Sequence, residues 1–244
     1  MDELPKTQDH GFQHVTTAIG DRNGVKLNEG EMWADTLFMT VLFLNKMGHL
    51  YNRRDWIEEA TRQVLVHIKY LYDKHTGLFF HGWSFIENSN FGGIFWCRGN
   101  SWFTYGILEF LDVARESLDP GVYNYIVDTF RAQVNALRKL QAPSGLWHTV
   151  LTDPDSYEEV SGSAAITAGI LEAIKIGILD SSYEECAARA IEGICANVDT
   201  DGTVLNVSAG TGMGYDADHY KNIVIRPMAY GQSLALIALC EALK

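Results

Sequence analysis

The chain has 244 residues, of which 47% are hydrophobic and 20% charged, with only 5 prolines; it can bury a sizeable core and is too apolar to be disordered. With 31 acidic against 19 basic residues its formal net charge is -12, and no dense Lys/Arg run offsets it, which argues against nucleic acid as a partner. Cys97, Cys186, Cys195 and Cys240 lie far apart without CxxC spacing, so buried free thiols are expected and a zinc site is not.

The start, Met1 to Lys6, has neither a basic opening nor an apolar run of leader length. Nowhere do about 18 apolar residues follow one another, so a cytoplasmic protein without membrane contact is expected. Helical periodicity then dominates. The first stretch, Glu31 to Met47, is strongly apolar, and the second, Asp55 to Tyr72, repeats Trp56, Ala60, Val64, Ile68 and Tyr72 along one face. Leu78 to His81 reads as a short strand directly after Gly77. Helices are predicted next at Asn100–Glu116, Gly121–Leu140 and Glu159–Ile176, then at Ser182–Asn197, where Ser181-x-x-Glu184 offers a capping box. A second strand-like piece, Val204 to Val207, precedes a last helix over Pro227–Leu243, with Pro227 suited to its first turn. These seven helices describe an all-α fold with short β-hairpins in its loops.

The loops recur. Thr76-Gly77-Leu78-Phe79-Phe80-His81, Ser144-Gly145-Leu146-Trp147-His148-Thr149 and Asp201-Gly202-Thr203-Val204-Leu205-Asn206 each follow an amphipathic helix and precede one rich in small residues. Their glycines are 68 and 57 residues apart, room for a helix pair and a long loop. The unit is therefore an outer helix, a decorated loop and an inner helix, and a toroid of such hairpins collects the loops on one rim, where a ligand site would form.

Four groups could carry chemistry. In Met32-Trp33-Ala34-Asp35-Thr36-Leu37-Phe38-Met39 a lone carboxylate opens an apolar helix. Asp35 reads either as a cap complementing the helix dipole or as an acid whose pKa is raised by Trp33 and Phe38, able to hold a proton at neutral pH. The second group is Phe80-His81-Gly82-Trp83, where His81 is either a hydrogen-bonded structural residue or an acid or ligand. In the third, Arg98-Gly99-Asn100-Ser101-Trp102, a guanidinium and an indole four residues apart share a helix face. That pair suits a carboxylated sugar, or equally a capping Arg beside a core Trp. The fourth joins Gly145-Leu146-Trp147-His148 to Tyr157-Glu158-Glu159-Val160-Ser161-Gly162-Ser163 and the glycine-rich Ser208–Gly214. The glycine run lacks the Lys-Ser/Thr ending of a phosphate loop and reads as a tight rim loop, and neither GxSxG nor HExxH occurs.

Taken together and in order, the Met32–Met39, Gly77–Trp83, Arg98–Trp102, Gly145–His148 and Ser161–Ser163 pieces resemble glycoside hydrolase family 105, the unsaturated rhamnogalacturonyl hydrolases. The unsaturated glucuronyl hydrolases of family 88 share the fold and part of the pattern. The resemblance implies a single domain over residues 1–244, an incomplete (α/α)6 barrel that lacks the family's N-terminal third. It also implies removal of a 4,5-unsaturated uronic acid from the non-reducing end of pectin-derived oligosaccharides, by adding water to the vinyl ether and with no metal or other cofactor. Asp35 would be the single proton shuttle, unlike the carboxylate pair of ordinary glycosidases. Substrate contacts would come from His14, Trp33, His81, Trp83, Arg98, Trp102, Trp147 and His148, with Arg98 approaching the sugar carboxylate and Trp102 stacking on the ring. Ser84 stands where many members have Asp. An open toroid would expose inner helix faces for a second copy or a missing segment to cover. The alternative is a catalytically inactive carbohydrate-binding or interaction module.

Overall fold

The computed structural model describes residues 4–17 and 25–244; Met1 to Glu3, part of the start read above for a leader, lie outside the described residues. The first predicted helix begins later than expected. Glu31–Trp33 is a strand (β3), following a small antiparallel ladder of β1 (Val15–Thr17) with β2 (Val25–Leu27), and β3 pairs with β4 (Gly82–Ser84). Helix α1 (Ala34–Thr36) runs through one π turn (Leu37–Val41) into α2 (Leu42–Leu50), a wide turn of the kind that gathers at functional sites. The remaining predicted helices appear as α3 (Arg54–Leu71), α4 (Cys97–Ala114), α5 (Pro120–Lys139), α6 (Val160–Lys175), α7 (Glu184–Cys195) and α9 (Ala229–Ala242). A short α8 (Ala217–Lys221) was not predicted.

Two expected helix-start features are not used. The cap before α7 is Asp180, whose side chain accepts from the Ser182 amide and starts a 3-10 turn at Ser181–Tyr183. Pro227 lies outside α9, before its N-cap Met228. The predicted hairpins at 78–81 and 204–207 are single bridges, Tyr72 with Phe79 and Val198 with Val204.

Packing sorts the helices into two layers. Helices α3, α5 and α7 each bury one stripe and leave the other in solvent. Burying Ile126, Phe130, Val134 and Leu137 of α5 stabilises the fold by about 1.5–3 kcal/mol per side chain. Helices α2, α4, α6 and α9 form the inner row, with α4 against α6 and α6 against α9. Two glycines a heptad apart set the first of these contacts. A Cβ on Gly162 would lie 2.6 Å from Cys97 Sγ, and one on Gly169 would lie 2.6 Å from the Thr104 carbonyl oxygen, so α4 and α6 meet backbone to backbone.

The recurring loops share one turn. Gly77, Gly145 and Gly202 have φ of 81°, 90° and 86°, the left-handed region in which glycine is at ease. In each the amide of the residue opening the turn, Asp73, Ala142 or Asp199, donates to the carbonyl just after the glycine. The first two turns abut the next outer helix, with the Gly145 Cβ position only 2.0 Å from the Arg189 carbonyl oxygen of α7 and that of Gly77 3.1 Å from Ala132 of α5. Nothing among the described residues comes within 4 Å of the same point on Gly202.

The arc is thus open, and both edges are apolar. Met39, Phe43 and Leu50 are exposed on one edge helix, and Leu236, Cys240 and Leu243 on the other. Cys97 and Cys186 are buried as expected, but Cys195 and Cys240 are exposed, Cys195 as the last residue of α7 and Cys240 in the last turn of α9. Among the described residues no helix is long and apolar enough to cross a membrane.

Candidate active site

The β3–β4 ladder builds the site. Met32 faces Trp83 and Trp33 faces Gly82, and beyond them the Ala34 amide donates to the His81 carbonyl at 2.8 Å. The first turn of α1 is thereby pinned beside His81, 46 residues away in sequence. The Asp35 side chain is 16% exposed, with Oδ2 3.2 Å from His81 Nε2. Its Oδ1 accepts the indole N–H of Trp102 at 3.1 Å, reaching over from α4. Each carboxylate oxygen thus has its own donor.

The charge state differs from the expected one. Burial pushes the Asp35 carboxyl up, but the His81 hydrogen bond and the positive influence of His81, His14 and Arg98 outweigh it, leaving the pKa below the ordinary 3.8. Asp35 therefore rests as a carboxylate at neutral pH and is not a pre-protonated acid. The hydrophobic walls read from Trp33 and Phe38 are present, but a group with two donors is stabilised in its charged form.

His81 sits behind the acid. It is 1% exposed, its Nδ1 is 2.8 Å from the Tyr220 hydroxyl, and its ring packs at 4.4 Å on Trp96 and edge-on at 5.4 Å to Trp33. A substrate contact of its own, as implied by the family resemblance, is closed off by this burial; its place is to hold Asp35. Trp102 is likewise corrected: at 4% exposure its ring packs on Phe38 at 4.8 Å, and its polar edge is spent on Asp35. It is a donor to the acid more than a platform for a sugar ring.

Arg98 does share the α4 face with Trp102, but its guanidinium turns toward the glycine-rich loop. Nη1 donates to the Ser161 hydroxyl and to the Ser208 carbonyl and hydroxyl, and Nη2 to the Ala209 carbonyl and the Thr211 hydroxyl. The group lies between the rings of Trp96 and Tyr230, at 4.5 and 4.9 Å, and 3.6 Å from Glu159 Oε1. At 3% exposure, the two-point grip on a sugar carboxylate is replaced by a grip on the 208–211 loop. Glu159, which the sequence placed only at a helix start, is fully buried and holds both that loop and the start of α6.

The other expected contacts divide. His14 is near: Nδ1 is 2.8 Å from the Thr36 hydroxyl and its ring stacks on Trp33 at 4.0 Å. Trp33 is 3% exposed and donates its indole N–H to Glu31, so it walls the site from behind. Trp83 points to the other side of the ladder and packs on Tyr70 of α3. Trp147 is wholly buried and donates to the Leu137 carbonyl, a core residue. His148 contacts the Ser156 carbonyl and lines a separate cleft with Lys139, Gln141 and Pro154. Ser84 accepts the Glu87 amide and shapes a turn. Among the described residues no three His, Cys, Asp or Glu side chains converge as metal ligands would.

Behind the site His67 is completely buried, with Nδ1 2.7 Å from the Gln63 carbonyl. Burial lowers its pKa from 6.5 to about 4, although the hydrogen bond to the Gln63 carbonyl pulls the other way. The unfolded chain takes up this proton first, so stability is complete above the unfolded value and is lost as pH falls from about 6.5 towards 4. For His67 the loss is on the order of 3 kcal/mol, and His14, also lowered to about 4 by burial, adds in the same direction. Denaturant unfolding at pH 7.0 and pH 4.5 is expected to show this drop, and His67→Gln is expected to flatten it.

Known proteins resemble this arrangement over most of the chain. The family model described as Glycosyl Hydrolase Family 88 matches residues 1–244. The unsaturated rhamnogalacturonyl hydrolase YesR of Bacillus subtilis (strain 168) is 37% identical over 215 residues, 88% of this chain and 60% of its own length. An unsaturated 3S-rhamnoglycuronyl hydrolase of Formosa agariphila is 28% identical, covering 87% of this chain and 57% of that protein. A solved structure from Salmonella enterica serovar Paratyphi A, described as a possible member of the GH105 family, superposes with a TM-score of 0.94. It is 44% identical over 100% of this chain and 62% of that one. The chain thus spans about three-fifths of the length of these relatives.

Proposed function

The chain belongs to Glycosyl Hydrolase Family 88, and we propose that it removes a 4,5-unsaturated uronic acid from the non-reducing end of rhamnogalacturonan-derived oligosaccharides by hydrating the vinyl ether. The observation that carries this reading is the lone Asp35 carboxylate with a separate donor on each oxygen. An ordinary glycosidase needs two carboxylates flanking the bond; a vinyl ether needs one group that gives a proton and takes one back.

The chemistry balances on that single group. C4 of the double bond is electron-rich because the ring oxygen on C5 donates into it. A proton from Asp35 on C4 leaves an oxocarbenium ion at C5, and water adds there as Asp35 takes the water's proton. The resulting hemiketal opens and releases the next sugar, and Asp35 ends as it began. In the unliganded protein the group is ionised; a substrate carboxylate placed beside it, with the surrounding water expelled, favours its protonated form. His81 and Trp102 fix its two oxygens so that the hydrogen meets the face of the alkene. The relative YesR, named as an unsaturated rhamnogalacturonyl hydrolase, supports the substrate class.

The same proposal extends to the open edges. The exposed stripes at Met39, Phe43 and Leu50 and at Leu236, Cys240 and Leu243 are apolar enough to be covered by a further helical segment or a second copy of this chain. The reaction is tested by mixing the protein with an unsaturated rhamnogalacturonan disaccharide and following the ultraviolet absorbance of the conjugated ene-uronate. Loss of that absorbance is expected. A folded protein that binds the sugar and leaves the absorbance intact would be a binding module instead.

A further inference from the structure

We propose that Tyr220 is a positioning residue: its hydroxyl sets the tautomer of His81 so that the imidazole N–H points at Asp35. Tyr220 lies on α8, a helix that no periodicity in the sequence announces, 139 residues beyond His81. It is fully buried, its ring stands edge-on to His81 at 5.7 Å, and its hydroxyl is 2.8 Å from His81 Nδ1. The same oxygen accepts the Gly214 amide at 3.3 Å.

The donors and acceptors fit together in one way. Gly214 N–H can only donate, so it occupies a lone pair of the Tyr220 oxygen, and the hydroxyl hydrogen is left to point at Nδ1. Burial pushes the Tyr220 pKa well above that of a free phenol, so the hydrogen stays in place. Nδ1 then accepts, the ring proton sits on Nε2, and Nε2–H donates to Asp35 Oδ2. In the opposite tautomer an Nε2 lone pair would face the carboxylate, and Nδ1–H would take the phenol oxygen's remaining lone pair and leave the buried hydroxyl hydrogen without His81 as its acceptor. The chain Gly214 to Tyr220 to His81 to Asp35 thus ties the glycine-rich loop to the charge of the acid. Its effect on turnover rests on the proposed hydration; the tautomer does not.

The test reads the tautomer directly. In protein labelled with nitrogen-15 at histidine, long-range proton–nitrogen correlation at pH 7 is expected to show His81 protonated on Nε2 alone. In Tyr220→Phe the same spectrum is expected to show a mixture of both tautomers, and kcat on the unsaturated disaccharide to fall about 10- to 100-fold with KM little changed, as when a partner that orients a functional ring is removed. Fluorotyrosine at position 220 keeps the shape and strengthens the donor, so it is expected to restore the Nε2–H form with Nδ1 shifted further, which serves if Tyr220→Phe does not fold. His81 remaining wholly Nε2–H in Tyr220→Phe, or an unmoved Nδ1 signal with fluorotyrosine, overturns the proposal. A tautomer change in a protein with no hydration activity overturns the functional reading and leaves this one standing.

Discussion

Asp35→Asn is expected to lower kcat for hydration of the unsaturated disaccharide by about 1,000-fold or more, the scale of losing a positioned proton donor and acceptor, while the protein still folds. An amide can neither give a proton to C4 nor take one from water, and among the described residues no other carboxylate hydrogen-bonds His81 or Trp102 to replace it. The structural cost is modest by comparison. Oδ1 and Oδ2 each accept from a donor, the Trp102 indole and His81 Nε2. The amide supplies one acceptor and turns its NH2 on the other donor, a mismatch worth about 1–3 kcal/mol in a buried site. His81 can relieve part of it by shifting its proton to Nδ1, at the expense of its bond from Tyr220. Melting temperature and turnover measured on the same preparation separate the two effects. Hydration by Asp35→Asn within about tenfold of the parent protein would remove Asp35 from the reaction.

Most of the helical architecture was legible because it depends on local periodicity. The Trp56-Ala60-Val64-Ile68 stripe marks α3 whatever surrounds it, and α3 is found at Arg54–Leu71 against an expected Asp55–Tyr72. The turns at Gly77, Gly145 and Gly202 were legible for the same reason, since each depends on a few adjacent residues. Glu31-Met32-Trp33 was not. Its apolar character continues into α1, so it reads as helix, and it is a strand only because Gly82-Trp83-Ser84 comes back to pair with it. That pairing is tertiary, and it is what places the acid.

The candidate site shows the same division between identity and role. Asp35, His81, Arg98 and Trp102 were picked out by residue type, and they do converge. Sequence left their tasks open because a task depends on what lies across the cleft. Arg98 looked free to bind a carboxylate until Ser208, Ala209 and Thr211, more than a hundred residues later, took up its donors. Tyr220 stood in a stretch without periodicity; the one available signal was Asp216, which caps α8 by accepting the His219 amide. Glu159 escaped because Glu is not among the favoured N-cap residues, yet its side chain accepts the Ser161 and Gly162 amides at the head of α6.

Glu159→Ala is expected to destabilise the fold by about 3–5 kcal/mol, the range for removing one partner of a buried ion pair. Glu159 is fully buried. Its Oε1 accepts the Ser161 amide at 3.1 Å, the Ser161 hydroxyl at 2.7 Å and the Ser208 amide at 3.0 Å, and lies 3.6 Å from Arg98 Nη1, while Oε2 accepts the Gly162 amide at 2.6 Å. Truncation leaves three buried amides without acceptors and a guanidinium, itself 3% exposed, without a counter-charge. The helix dipole of α6 loses its anion at the same point. The midpoint of thermal unfolding is expected to fall by about 10 °C for a chain of this size, and hydrogen exchange is expected to quicken first at Ser208 to Thr211. Glu159→Gln, which keeps an acceptor but drops the charge, is expected to lose less. If Glu159→Ala melts within about 2 °C of the parent protein, the Arg98–Glu159 pair does not hold the loop, and the exchange rates at Ser208 and Ala209 will say what does.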